Sequence, residues 1–160
     1  MTRAIAAVLG VLLLAATLSA QRPTDVVKWT ATAARAEVKA GSIVSIEATA
    51  DVQPGWYLYG LAQPKGGPIP LNFAGAKGKL FQVQPRGITG PEPVSKDDPV
   101  FDLETKMHAG RTVFTVPVLV ARGVTAGSHT IPIEITFQAC GEGICLRPYT
   151  QTVQVGISVR

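Results

Sequence analysis

The chain contains two cysteines, Cys140 and Cys145, separated by four residues that include Gly141 and Gly143. Antiparallel neighbours joined by so short a loop can bring two cysteines face to face, near the Cα separation of about 4.4–6.8 Å that a disulfide requires. The glycines permit the dihedral angles that a tight loop needs. The pair is therefore either a local structural disulfide or a redox centre.

The residues around the cysteines do not decide between these alternatives. Closing so short a loop stabilises a folded chain by roughly 2 kcal/mol, against about 4.7 kcal/mol for a loop of 100 residues, so a purely structural bridge contributes little here. A nucleophilic cysteine must be an accessible thiolate. Arg147 would stabilise a thiolate and Glu142 would destabilise it, so local charge leaves both alternatives open.

The first 20 residues have the pattern of a secretory signal peptide. Arg3 supplies the positive start, residues 4–18 are predominantly apolar, and Ser19-Ala20 forms a small-residue cleavage site. Residues 21–160 suffice for a single domain. We expect it to be periplasmic or secreted, where a cysteine pair persists as a disulfide. No later stretch reaches 18 consecutive apolar residues, so we expect no membrane span in the mature chain.

Composition argues against several other classes of function. The chain has 15 Lys and Arg against 11 Asp and Glu, and the basic residues are scattered rather than interleaved with aromatic ones, so nucleic-acid binding has no support. Two histidines leave little room for acid–base catalysis. One of them, His108, adjoins Met107, but a single Met-His pair rarely forms a metal site. We expect no metal and no other cofactor.

Alternation of apolar and polar residues with a period of two recurs along the chain and is typical of half-buried strands. It is clearest in residues 42–50, 79–84, 111–120, 130–137 and 150–159, with shorter candidates at 26–33, 56–59 and 69–73. The pattern predicts an all-β fold, an immunoglobulin-like β-sandwich of seven to eight or more antiparallel strands. Pro117 and Pro132 lie inside these segments, which predicts edge strands or bulges there.

One long segment, residues 85–108, does not follow the alternating pattern. It contains Pro91, Pro93 and Pro99 and several acidic residues. We interpret it as a long irregular loop, and loops of this length in a compact domain are usually functional or disordered. A solvated surface excursion is the alternative interpretation.

Three stretches together resemble one known family. Residues 137–148 contain an aromatic-Gln-small-Cys run, a short Gly/acid loop, and a second cysteine followed closely by a proline. They resemble the signature of the N-terminal periplasmic domain of the thiol:disulfide interchange protein DsbD. Residues 54–59 are similar to that family's Gly-aromatic-Tyr-Leu-Tyr strand, and Phe101 falls where the family carries the phenylalanine of its cap loop. The resemblance covers most of residues 25–159.

The resemblance implies a fold, an activity and a set of site residues. The fold is the same immunoglobulin-like sandwich. The activity is an electron relay, in which a Cys140/Cys145 pair exchanges electrons with thioredoxin-like redox proteins and Cys145 forms the mixed disulfide. Phe101 would shield the pair from stray oxidants. The residues implied to flank the pair are Trp56, Tyr57, Tyr59, Phe137 and Gln138.

The sequence departs from the family pattern in two respects. The family often has acidic residues directly before the cap phenylalanine, whereas Pro99-Val100 stand there and Asp97-Asp98 lie just upstream. The chain also has no Cys-x-x-Cys motif, so we expect electrons to come from a separate protein, for example a membrane-bound donor. The alternative function is a non-catalytic secreted immunoglobulin-like binding module with a structural disulfide. A relay requires sulfur atoms that a partner can reach under a movable cap.

Overall fold

The computed structural model describes residues 21–75 and 78–160. The predicted signal peptide, residues 1–20, lies outside the described residues. The described part contains a four-residue helix α1 (Pro23–Val26) and a 3-10 turn (Pro85–Gly87). Its strands are β1 (Val27–Ala33), β2 (Glu37–Val38), β3 (Ile43–Val52), β4 (Tyr57–Tyr59), β5 (Asn72–Gly75), β6 (Phe81–Val83), β7 (Val94–Asp98), β8 (Leu103–His108), β9 (Arg111–Val120), β10 (Gly127–Phe137), β11 (Ala139–Gly141), β12 (Ile144–Cys145) and β13 (Tyr149–Val159).

Two four-stranded sheets form the sandwich, with strand orders β1-β3-β9-β6 and β2-β13-β10-β5. β9, and β10 from Ile131 onward, alternate between buried and less buried residues, because one face of each sheet packs on the core. Four aromatic residues contributed by both sheets meet in that core, with ring centroids 5.6–6.0 Å apart: Trp29, Phe73, Phe114 and Phe137. The predicted immunoglobulin-like β-sandwich is confirmed, although the short pair β2–β13 is parallel.

A third sheet, with strand order β12-β11-β4-β8-β7, lies at one end of the sandwich. At that end β3 and β10 finish and β9 begins. Its strands are short, and it joins three segments that are far apart in sequence: β4, the β7–β8 hairpin and the β11–β12 hairpin. We call the β7–β8 hairpin, residues 94–108, the cap hairpin. No helix among the described residues is long and apolar enough to cross a membrane.

Two expectations about this architecture were wrong. Residues 94–108 are not irregular, because β7 and β8 pair in antiparallel register from Val94 with Met107 to Asp98 with Leu103. Four of the five β7 residues are exposed, so the strand lacks the apolar alternation by which strands are recognised.

The two prolines lie in internal strands rather than at edges. Pro117 belongs to β9 and Pro132 to β10, and each of these strands has a neighbour on both sides. Pro117 stands one residue beyond Val118, the last β9 residue that pairs with β6. A missing N–H is tolerated there because the regular pairing with β6 has ended.

Candidate functional site

The two cysteines form a disulfide across the β11–β12 hairpin. Cys140 and Cys145 are direct partners in the antiparallel register, with Cα atoms 4.0 Å apart. Gly143 adopts a φ of 70°, in the left-handed region that a tight turn uses and that glycine tolerates best. The Leu146 N–H donates to the Ala139 carbonyl and closes the base of the hairpin. The predicted face-to-face arrangement is confirmed.

The two sulfur-bearing residues differ in exposure. Cys140 is 4% exposed, whereas Cys145 is only half-buried. Cys140 belongs to a small cluster separate from the main core, in which Tyr59 and Met107 are buried. The partly buried residues of this cluster are Tyr57, Phe101 and Cys145. An incoming group therefore has more direct access to Cys145 than to Cys140.

Tyr59 connects the disulfide to a buried carboxylate. Its hydroxyl oxygen lies 2.7 Å from the Cys140 sulfur and 3.3 Å from the Cys145 sulfur. The same hydroxyl donates its hydrogen to Oδ2 of Asp98 over 2.5 Å. Burial, reinforced by the hydrogen bond and charge of Asp98, raises the pKa of Tyr59 far above its usual value. The phenol therefore stays protonated, and its oxygen lone pairs face the sulfur atoms.

Asp98 ends β7 and is 3% exposed. Its Oδ1 accepts the Val100 N–H over 2.9 Å, which organises the turn at the tip of the cap hairpin. Thr105 on β8 also approaches Oδ2, with its hydroxyl 3.5 Å away. From the sequence, Asp98 was expected only to lie upstream of the cap phenylalanine and was given no role. Its position immediately before Pro99-Val100, three residues before Phe101, is the signal that could have found it.

Phe101 lies at the tip of the cap hairpin, between β7 and β8. Its ring meets the Tyr59 ring edge to face, with centroids 6.1 Å apart and planes at 83°. It is half-buried and packs on the small cluster that contains the disulfide. The hairpin thus brings the predicted cap residue to the site.

A cleft of about 240 Å³ lies between the cap hairpin and the cysteine hairpin. The Lys96 ammonium lies 4.0 Å from the centre of the Tyr57 ring, within cation–π distance. Tyr57 is the β4 partner of Cys140. Both residues line the cleft together with Cys140, Met107 and Glu142. The cleft therefore lies beside Cys140 and is lined by side chains of both charges, among them Lys96 and Glu142.

The other predicted flanking residues occupy different places. Trp56 packs against the cysteine hairpin, because a side-chain carbon on Gly141 would lie 3.5 Å from its ring. Gln138 donates from Nε2 to the Leu146 carbonyl over 3.1 Å and fixes the start of the segment between β12 and β13. Phe137 is fully buried in the main core, so the structure does not bring it to the small cluster.

His108, the last residue of β8, packs with its ring 5.2 Å from that of Phe114 in the main core. Burial lowers the pKa of His108, and the negative charge of Glu92 opposes this shift. Met107, its neighbour on the strand, packs in the cysteine cluster instead. Among residues 21–75 and 78–160 no cluster of three or more His, Cys, Asp or Glu side chains is placed to hold a metal ion.

The sequence matches the family described as thiol:disulfide interchange protein DsbD, N-terminal, over residues 26–157. The chain belongs to this family. The resemblance carried by the cysteine motif and the Trp-Tyr strand is thereby confirmed. No curated protein sequence matches the chain.

Two solved structures are similar over most of this chain, and the first of them supports the fold. The N-terminal periplasmic domain of ScsB from Proteus mirabilis is similar with a TM-score of 0.56 and 18% identity, over 83% of this chain and 48% of that one. The chain therefore spans about half the length of that protein. AggA, the major subunit of aggregative adherence fimbriae type I from Escherichia coli, has a TM-score of 0.39 and 10% identity, over 84% of this chain and 94% of its own.

Proposed function

We propose that this DsbD N-terminal family member is an exported thiol:disulfide exchange domain. It would pass electrons through the Cys140–Cys145 pair between a thioredoxin-like donor and periplasmic disulfide-bond proteins. The observation that carries the proposal is the contact of the disulfide with Tyr59, whose hydroxyl is bonded to the buried Asp98. A structural disulfide needs no buried phenol–carboxylate pair beside it, and such pairs cluster at functional sites.

In this proposal Cys145 is the residue that partners attack, because it is the more exposed of the two. A donor thiolate forms a bond to the Cys145 sulfur, the Cys140–Cys145 bond breaks, and its electron pair stays on the Cys140 sulfur. The donor's second thiolate then attacks its own first sulfur and releases Cys145. The donor ends as a disulfide, and the domain ends as a dithiol that carries the donor's two protons.

Tyr59 would stabilise the leaving sulfur. Its oxygen is closer to Cys140 than to Cys145, so the thiolate that forms on Cys140 lies within hydrogen-bond distance of a protonated phenol. The hydroxyl hydrogen can turn from Asp98 to that thiolate, and a hydrogen bond to an ionised acceptor is stronger than a neutral one. Tyr59 and Asp98 thus favour electron flow onto Cys140 rather than onto Cys145.

The Phe101 ring would act as the cap. It packs on Tyr59 and on the cluster that contains the oxidised disulfide, so a partner that docks closely on the sulfur atoms would displace it.

In this proposal residues 21–160 form one exported domain that follows a cleaved signal peptide. The electrons would come from a thioredoxin-like protein or from a separate membrane-bound donor.

Single-cysteine variants test the assigned roles. The probe is a thioredoxin-like protein whose resolving cysteine has been replaced and whose remaining cysteine is joined to thionitrobenzoate as a mixed disulfide. With Cys140→Ser, the free Cys145 thiolate should attack that cysteine sulfur and expel thionitrobenzoate, which leaves a stable protein–protein mixed disulfide. With Cys145→Ser, the free Cys140 should form little of it. The covalent adducts are measured by non-reducing electrophoresis and mass spectrometry. Equal failure of both variants would remove the exchange function, and a preference for Cys140 would reverse the roles.

A further inference from the structure

Among the described residues, the strand ladder between β4 and the cap hairpin consists of two residue pairs. On β4, Leu58 faces His108 and Tyr59 faces Met107. Beyond this ladder the Gly60 N–H still donates to the Lys106 carbonyl over 2.8 Å. From Thr105 to Leu103, the described backbone hydrogen bonds of β8 go to β7 and not to the β4 side. Lys106 is therefore the point at which the cap hairpin separates from the β4 side of the third sheet.

A side chain from another segment extends this short ladder. Gln63 donates from Nε2 to the Lys106 carbonyl over 2.7 Å, and its Oε1 accepts the Lys106 N–H over 3.2 Å. One side-chain amide thus makes both hydrogen bonds that a neighbouring strand residue would make. β4 ends at Tyr59, and the carbonyl of the next residue, Gly60, accepts the Leu71 N–H. Gln63 therefore supplies the acceptor for the Lys106 N–H and a second donor, beside the Gly60 N–H, for the Lys106 carbonyl.

The loop that carries Gln63 is itself held in place. The Leu71 N–H donates to the Gly60 carbonyl over 3.0 Å and closes the base of the loop. Within the loop the Gly67 N–H donates to the Pro64 carbonyl over 3.1 Å. The loop also contains Pro68 and Pro70, whose φ angles are fixed by their rings. The Gln63 amide is therefore presented from a constrained segment rather than from a free one.

We propose that Gln63 is a positioning residue that latches the root of the cap hairpin at Lys106 and so controls how often Phe101 uncovers the disulfide. The inference rests on the proposed function, in that Phe101 must limit access to the sulfur atoms. Phe101 lies five residues before Lys106, at the free end of the same hairpin. Loosening the hairpin at its root frees its tip, whereas the sandwich core is not touched.

Reduction of the disulfide by a water-soluble phosphine tests the latch. The phosphine takes oxygen from water and is oxidised to phosphine oxide, while the disulfide gains two electrons and two protons. For Gln63→Ala we expect reduction roughly five- to thirtyfold faster than in the unchanged protein, the factor for losing one to two hydrogen bonds of ordinary net strength. The matched control is Gln82→Ala, which removes one hydrogen bond from the Gln82 side-chain amide to the Lys79 carbonyl in the sandwich. This variant should leave the reduction rate unchanged.

Gln63→Glu separates positioning from a general loss of structure. At pH 7 its carboxylate accepts the Lys106 N–H but repels the Lys106 carbonyl, so reduction should be fast. Near pH 4, around the usual glutamic acid pKa of about 4.3, the protonated acid again donates to that carbonyl. At that pH the reduction rate of Gln63→Glu, divided by that of the unchanged protein, should fall toward one. The same ratio for Gln63→Ala should stay high. Equal pH behaviour of the two variants would overturn the proposal.

Hydrogen exchange of the Lys106 amide distinguishes this inference from the proposed function. The exchange rate shows whether the Gln63 hydrogen bond protects the Lys106 N–H, and it does so even if the disulfide is not an exchange site. Faster exchange in Gln63→Ala together with faster reduction supports the proposal. Faster exchange with an unchanged reduction rate overturns the control of access by Gln63, and unchanged exchange overturns the latch itself. Neither result alters the single-cysteine trapping experiment, on which the exchange function depends.

Discussion

The main core and the cysteine cluster are built on different principles. The core joins two sheets of long strands through apolar side chains, with Trp29 and Phe114 among its central aromatic residues. The cysteine cluster lies under strands of two to six residues and contains buried polar groups, among them Asp98 and the Tyr59 hydroxyl. The sandwich is stabilised by apolar burial, which does not depend on orientation, whereas the cluster depends on a few directed hydrogen bonds.

This difference separates stability from reactivity. The described hydrogen bonds to the sulfur atoms come from Tyr59 in the cluster and not from the apolar core, and the cluster has three buried residues, Tyr59, Met107 and Cys140. A hydrogen-bonded cluster can also open locally at a lower free energy than the whole domain. Removal of an aromatic ring from the core should therefore lower stability strongly and leave reduction of the disulfide little changed. Removal of an aromatic ring from the cluster should lower stability slightly and change the reduction rate.

The largest effect on stability is expected in the core. Phe114→Ala removes a fully buried ring that packs on Trp29 and Phe73, and it should lower the free energy of unfolding by about 3–5 kcal/mol. Urea unfolding followed by tryptophan fluorescence measures it. A loss below about 1 kcal/mol would show that the sandwich does not depend on this aromatic cluster.

Tyr59→Phe tests the polar contact in the cluster. The change leaves the Asp98 carboxylate buried without its phenol donor, which costs about 1–3 kcal/mol of stability. Loss of the hydrogen bond to the Cys140 thiolate should slow exchange with a thioredoxin-like donor by roughly tenfold. Stopped-flow kinetics of reduction measure the rate. An unchanged rate with reduced stability would confine Tyr59 to a structural role.

Phe101→Ala is the counterpart of the core substitution at the cap. Because the ring is only half-buried, the loss of stability should be about 1 kcal/mol. Removal of the cover should speed reduction of the disulfide by small thiols roughly tenfold, corresponding to a cover worth about 1.4 kcal/mol. The reduction rate is followed by thiol labelling at intervals. A large loss of stability without faster reduction would place Phe101 with the core rather than the cap.

The smallest effect is the pH dependence from His108. Burial lowers the pKa of His108 in the folded chain below its usual 6.5, so the unfolded chain binds more protons as the pH falls through 6.5. The stability that the neutral imidazole contributes is present above that pH and is lost below it. Urea unfolding between pH 5 and 8 should show stability rising with pH, and His108→Gln should flatten that slope. An equal slope in the variant would exclude His108 as its source.

The long strands were predictable because one face of each packs on the core. Residues 111–120 alternate in the sequence and coincide with β9. Exposed strands such as β7 give no such signal, which is why the cap hairpin was missed. Phe137 was expected beside the cysteines from its place in the motif, but the alternation of β10 turns it into the main core.

Part of the site was also predictable. Tyr57 and Tyr59 are two residues apart on a strand and so share a face, and both contribute to the cysteine cluster. The contact between Tyr59 and Asp98 joins residues 39 positions apart and depends on the register of the cap hairpin. The Gln63 latch depends on where β4 ends. Neither a hairpin register nor the end of a three-residue strand follows from local pattern.

The reduction potential of the Cys140–Cys145 disulfide distinguishes a redox centre from a structural bridge. It is measured by equilibrating residues 21–160 in dithiol redox buffers and quantifying free thiols. For an exchange site we expect a value between about −180 and −270 mV, the range of proteins that exchange disulfides. A value below about −300 mV would mark a structural disulfide and would rule out the exchange function.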